Sequence, residues 1–265
     1  MISGRTRVFA LLGNPVGHSL SPVMHNAVFQ ALGLDAVYVA LPCEADEVGA
    51  LMRMLARSGG GGNITIPYKR QAAAWVRPSS GTVLVTCNTF WGEAGEVVGD
   101  DTDGVGIRAG FEQLGRPAGT WLILGTGGSA VATGLAAGAL GAPVAIRSRS
   151  AERRDGLADQ LRTLGVAAGS EQEIGLVVNC TPLGLGPRDP APMPVDQIPA
   201  GAAVLDLVYG WAETDWVRRA KAAGHRAIDG REVLVAQGGA AFERWFPRAT
   251  APIEVMRAAV AGRAG

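Results

Sequence analysis

Thr120-Trp-Leu-Ile-Leu124-Gly125-Thr-Gly127-Gly128-Ser129-Ala130 is the stretch on which the fold turns. A short apolar run of this kind reads as a strand buried on both faces, and here it breaks abruptly into glycines. The spacing predicts a helix over 131–140 and a second strand over 143–146. Strand, glycine turn, helix and strand within about thirty residues make the dinucleotide-binding βαβ unit of a Rossmann domain. Gly125 allows the tight turn, Gly127 lets the backbone approach a pyrophosphate, and Gly128 with Ala130 keeps the helix close to the sheet. The first N–H groups of that helix, Ser129 among them, then face an anion. An NAD site offers Asp or Glu to the ribose after the second strand. This chain instead has Arg147-Ser-Arg149-Ser150, with Arg153 and Arg154 behind. Guanidinium groups suit a 2′-phosphate, so the cofactor expected is NADP.

On both sides of this unit strands and helices continue to alternate. Upstream, strands are expected over 8–12, 36–41 and 62–66, a helix over 47–57, and short β pieces over 83–86, 89–91 and 96–98. Pro22 suits the first position of another helix, with Ser21 as its N-cap. Thr65 lies in the last residues of the third strand and Lys69 just after it, placing a hydroxyl and an amine at a strand's carboxyl end, where ligands bind in open α/β sheets. A helix over 105–114 leads through Gly115-Arg-Pro-Ala-Gly119 to the glycine unit. Downstream, helices over 152–164 and 215–223 and strands over 176–179, 203–207 and 226–228 complete a doubly wound sheet. Residues 181–194 are too rich in Pro and Gly to be regular. Two last helices, over 233–245 and 253–260, suggest a return to the first domain. The fold class expected is α/β with two domains: an N-terminal substrate domain of residues 1–104 and 238–265, and a Rossmann domain of residues 105–237.

Composition narrows the partners. Lys plus Arg and Asp plus Glu number 24 each, so no global field points to nucleic acid or a membrane surface. Cys43, Cys87 and Cys180 lie far apart without metal-ligand or disulfide spacing, and no metal site is expected. The apolar run over 8–12 is too short for a signal peptide or a membrane span, which makes a cytoplasmic location the expectation.

One ordered set of motifs runs the length of the chain. It comprises Gly13-x-Pro15-x-x-His18-Ser19-x-Ser21-Pro22-x-x-His25-Asn26, Asn63-x-Thr65-x-Pro67-x-Lys69, Asn88-Thr89, Thr102-Asp103-x-x-Gly106, Gly125-x-Gly127-Gly128, Asn179-x-Thr181-Pro182-x-Gly184, Asp206-x-x-Tyr209 and Gln237-Gly238. This set resembles the shikimate dehydrogenase family. The resemblance implies reversible, NADPH-dependent reduction of 3-dehydroshikimate to shikimate, a step toward the aromatic amino acids, by a monomer or homodimer.

By that resemblance Lys69 and Asp103 are the catalytic pair. A carbonyl reduced by hydride becomes an alkoxide that must take a proton, and an ammonium supplies both proton and charge. Ser19 and Ser21 would hold the substrate carboxylate, and Thr65, Asn88, Tyr209 and Gln237 the ring hydroxyls, since hydroxyls and amides donate and accept. Gly125, Gly127, Gly128 and Ser129 would hold the pyrophosphate and Arg149 and Arg153 the 2′-phosphate, with Thr181 near the adenosine or the phosphates. His18 and His25 are expected as hydrogen-bonded scaffold. Three positions depart from the family: Asp101 where Asn is usual, Gly210-Trp211 where a proline follows Tyr209, and Val233 where Met is common. Shikimate-selective members carry two serines in the Ser19–Ser21 turn, whereas threonine at the second often accompanies quinate. Alternatives to shikimate are quinate, an aminoshikimate-like substrate, or a non-catalytic NADP-binding protein.

Overall fold

Two sheets organise the chain, and the computed structural model describes residues 2–81, 83–186 and 188–261. Pro187 of the irregular stretch and residues 262–265 of the expected first-domain tail lie outside the described residues. The chain divides into two compact units, Met1–Thr102 with Leu234–Gly265, and Asp103–Val233. The crossings fall at 102/103, where a helix begins at Asp103, and at 233/234, within a helix that begins at Gly230.

The first unit begins with β1 (Arg7–Gly13), α1 (Ser21–Ala31), β2 (Ala36–Pro42), α2 (Val48–Arg57), β3 (Gly61–Ile64) and α3 (Lys69–Ala73). A two-residue strand β4 (Arg77–Pro78) and the hairpin β5 (Thr89–Glu93) and β6 (Glu96–Asp100) follow. The sheet runs β2-β1-β3-β5-β6-β4, parallel through β2, β1 and β3, with β5 antiparallel to both neighbours. Alternation along β1 and β3 sends Ala10, Leu12 and Ile64 into a core with Met52, Leu55 and Phe90. β3 stops at Ile64, short of the expected 66, ahead of Pro67, which has no N–H for a ladder. No strand forms over 83–86 among the described residues: Val83 is exposed to water, and the sheet edge is instead β4, where Pro78 is tolerated as an edge residue.

In the second unit α4 (Asp103–Gln113), β7 (Thr120–Leu124), α5 (Gly128–Ala139), β8 (Val144–Arg147), α6 (Ala151–Thr163), β9 (Ile174–Asn179), β10 (Ala203–Asp206), α7 (Asp215–Ala222) and β11 (Ala227–Ile228) succeed one another. All five strands are parallel, in the order β11-β10-β9-β7-β8, so β7 and its glycine turn lie where the order reverses. Leu122, Leu124, Val177, Val204, Trp216 and Val217 form the core on one face. Then α8 (Gly230–Trp245) carries the chain back, and α9 (Ile253–Val260) packs on α1 in the first unit. No helix among the described residues is long and apolar enough to cross a membrane, and no cluster there has the makings of a metal site.

His25 corrects one expectation. It is fully buried, yet neither ring nitrogen has a hydrogen-bond partner among the described residues, so it serves as a packing ring and not as a hydrogen-bonded scaffold. The imidazole stacks on Tyr38 at 4.6 Å and meets Trp245 at 5.0 Å. Burial pushes its pKa down from 6.5 to about 3. A folded value below the unfolded one means that protonation favours the unfolded chain, so this contribution to stability is complete above pH 6.5 and is lost as pH falls toward 3. At about pH 4.5 the loss from this group comes to about 2–3 kcal/mol. His25→Phe is expected to flatten that part of the pH dependence. Urea unfolding at neutral and mildly acid pH checks it, and an unchanged difference between the two midpoints counts against the assignment.

Candidate active site

The turn after β1 is shaped by what Gly13 lacks. A Cβ there would lie 2.3 Å from Thr65 Cγ2 and 2.9 Å from the Ile66 carbonyl, so only glycine lets the segment after β3 close against it. Thr65 is thereby placed against the end of β1, where the turn toward α1 begins. Ser21 is the first residue of α1 and not its N-cap; that position is Leu20, which offers no side-chain bond. Ser19 Oγ instead accepts from the Ser21 amide at 3.2 Å and donates to Ser21 Oγ at 3.1 Å. The two hydroxyls therefore sit together, Ser21 buried and Ser19 half-buried, at the start of a helix with no acid in its first turn. A carboxylate is the ligand such a corner favours.

Lys69 opens α3 but is only 9 % exposed, so it is not the surface lysine that a helix start by itself implies. Its carbonyl accepts from the Cys87 amide at 2.9 Å, which fixes it beside Asn88 in the chain order of the next strand. Asn88 is buried and heavily bonded. Its Oδ1 accepts from the Thr102 amide at 2.8 Å and from the hydroxyls of Thr102 and Thr89, while its Nδ2 donates to Gln237 Oε1 at 3.3 Å. Gln237 lies 149 positions away in sequence and arrives on α8. Asn63 completes the frame by donating to the Asn88 carbonyl and Thr89 Oγ1 and accepting from Tyr38. Asn63 and Thr102, which stand in the motifs with no role of their own there, hold Asn88 in place. Asp101 turns its carboxylate to the Thr86 hydroxyl, which gives that departure a local partner.

In the second unit Asp103 is the first residue of α4, immediately after the Thr102 amide held by Asn88, and is half-buried. Tyr209, half-buried, lies on a segment anchored at Val208, whose N–H donates to Asp206 and whose carbonyl accepts from Gly230. That anchoring holds the segment despite Gly210-Trp211, and Trp211 projects into solvent. Val233 packs toward Gly110 of α4. Asp206 also accepts from Asn179 and Thr214, and burial raises its pKa to about 6 against these bonds. Asn179 in turn accepts from the Thr181 amide and hydroxyl, so the hydroxyl of Thr181 shapes its own turn.

The glycine turn fits a dinucleotide phosphate. Gly125 has φ +108°, a conformation that L side chains rarely adopt, and Thr181 Cγ2 lies 3.0 Å from where its Cβ would stand. Gly127 is the N-cap of α5 in extended conformation, with open space where a side chain would be, no side-chain cap and no acid in the following turn. The Gly127 cap therefore offers no side chain to the amides of Gly128 and Ser129, which remain among the first, unpaired N–H groups of the helix. Beyond β8 the arginines separate into two kinds. Arg147 pairs with Glu171 at 2.7 Å and Arg154 with Asp155 at 2.8 Å, whereas Arg149 and Arg153 are exposed and have no carboxylate partner among the described residues.

Residues 11–85 match the family model of the shikimate dehydrogenase substrate binding domain, and residues 230–261 that of the shikimate 5′-dehydrogenase C-terminal domain. The chain is 37 % identical over 273 residues to the NADP(+) shikimate dehydrogenase of Halorubrum lacusprofundi, covering 96 % of this chain and 97 % of that one. Identity to the corresponding enzyme of Symbiobacterium thermophilum is 38 % over 280 residues, covering 97 % and 94 %. Among solved structures, the Thermus thermophilus shikimate 5-dehydrogenase in complex with NADP(H) and shikimate superposes with a TM-score of 0.84 at 31 % identity, covering 96 % of this chain and 98 % of that one.

Proposed function

The chain belongs to the shikimate dehydrogenase family, and on that premise we propose Lys69 and Asp103 as the pair with which it performs the family's reaction. That reaction is the reversible, NADP-dependent interconversion of 3-dehydroshikimate and shikimate, in the pathway to aromatic amino acids. The observation that supports the assignment is the burial of Lys69, whose carbonyl is tied to the residue before Asn88, since lysine is mostly an exposed residue. When bound, NADPH supplies the hydride that reduces the substrate carbonyl. Lys69 gives a proton to the oxygen as negative charge develops on it, and takes that proton back in the oxidative direction. Asp103 is the carboxylate that takes part in the same transfer. Ser19 and Ser21 hold the substrate carboxylate, while Thr65, Asn88, Tyr209 and Gln237 bind the ring hydroxyls. Gly125, Gly127, Gly128 and Ser129 receive the pyrophosphate, Arg149 and Arg153 the 2′-phosphate, and Thr181 closes the turn beside them. The first unit is accordingly the substrate domain and the second the cofactor domain of a cytoplasmic protein acting as a monomer or homodimer.

Steady-state NADP reduction with shikimate and quinate side by side tests this reading. Quinate has a tetrahedral carbon bearing an additional hydroxyl where shikimate is flat, and a buried hydroxyl without a partner costs about 1–3 kcal/mol. Ser21 is buried and its hydroxyl is already engaged by Ser19. Shikimate is expected to exceed quinate at least about tenfold in kcat/KM, and Ser21→Thr to narrow the gap. Comparable values for the two acids in the unmodified protein would defeat the choice of shikimate, and no turnover of either would defeat the whole assignment.

A further inference from the structure

We propose that the first unit carries a second small-molecule site, remote from the catalytic residues, that takes a planar-ring monocarboxylate. A cavity of about 560 Å³ lies by the C-terminal end of α2 and the β5–β6 hairpin, with Arg53, Arg57, Trp75, Arg77, Glu93 and Glu96 in its wall. That volume is within the range of small-molecule sites. It opens at the head of β3, where Gly59 lines it, whereas Thr65 and Lys69 follow the other end of the same strand.

Backbone contacts build the cavity. Gly92 brings β5 directly onto α2, for a Cβ there would lie 2.3 Å from the Ala56 carbonyl oxygen. Ala94 and Gly95, with φ 51° and 84°, reverse the chain to form the hairpin tip. Trp75 lies across Gly49, its ring 3.2 Å from where a Cβ would stand, packs in part against the core of the first unit, and contributes to the cavity wall.

The charges in the wall are of two kinds. Arg77 bridges Glu93 at 2.6 Å and Glu96 at 2.7 Å, so it is neutralised and pins the hairpin. Arg53 and Arg57 stand one helical turn apart and have no carboxylate partner among the described residues. The helix dipole accounts for a cation in the last turn, but not for two guanidiniums sharing a cavity with an indole. Two guanidinium forks bind a carboxylate, and the indole receives the flat ring attached to it. Glu93 and Glu96, two carboxylates against the one Arg77, leave a net negative charge there that disfavours a second negative group on the ligand.

Isothermal titration of the full chain with indole-3-carboxylate, in separate runs with saturating shikimate and with saturating NADP, tests the site. Saturable one-to-one binding is expected. The double variant Arg53→Ala/Arg57→Ala should weaken it at least about tenfold, as should Trp75→Leu, while shikimate turnover in the double variant stays at the wild-type level. Failure of the probe to saturate, unchanged affinity in the double variant, or equally tight binding of inorganic phosphate would each overturn the proposal. None of these outcomes bears on Lys69, so failure here leaves the catalytic reading intact.

Discussion

Lys69→Ala is expected to lower kcat by about 10²–10⁴-fold while leaving NADP affinity within about twofold. The span is the usual one for removing a general acid–base, because the alkoxide must then take its proton from water at greater cost. The residue belongs to the first unit, whereas the glycine turn and arginines proposed to hold NADP lie in the second, so the two readouts separate. Folding is a real concern for a side chain only 9 % exposed, and Lys69→Met keeps most of the aliphatic bulk while removing the ammonium. The methionine variant should lose kcat to the same degree with an unchanged melting profile. Single-turnover rates and NADP titrations check both variants. Retention of kcat within about tenfold would remove Lys69 from the chemistry.

The parts of the fold that could be read in the sequence are those whose cause is local. β7, its glycine turn and β8 follow from an apolar run, residues suited to positive φ and a second apolar run, all near one another in the chain. Local pattern misled where another partner intervened. Ser21 has the composition of an N-cap, but Ser19 takes its amide and Leu20 adopts the cap position. Residues 83–86 have strand composition, but Thr86 is committed to Asp101 and Val83 to solvent. For the candidate site, residue types were legible and arrangement was not. Nothing near Asn88 announces that Gln237 will reach it from α8, and nothing around Lys69 announces its burial. Likewise the cavity beside Trp75 depends on Gly92 meeting the Ala56 carbonyl, a pairing of residues that no spacing rule connects.

The cofactor offers the second large effect. Of the four arginines after β8, Arg147 and Arg154 are held by Glu171 and Asp155, so their charge is already spent on exposed pairs worth little to stability. Arg149 and Arg153 remain available among the described residues, and Arg153 has its amide fixed by Ser150 Oγ at the start of α6. A guanidinium binds phosphate through two parallel charge-assisted bonds, and at an exposed arginine the pair together is worth about 1.5–3 kcal/mol against leaving the anion in water. Arg149→Ala should therefore raise KM for NADP by about ten- to a hundredfold with kcat and NAD kinetics nearly unchanged, removing most of the preference for NADP. Arg147→Ala is the control: its partner is Glu171, so the ratio of kcat/KM for NADP to that for NAD should move by no more than about threefold. The protein measures the two cofactors against each other in one assay. Equal efficiency with both in the unmodified chain would refute NADP selection by these residues. An Arg147→Ala loss as large as that of Arg149→Ala would show that the phosphate is held on the other side of the turn.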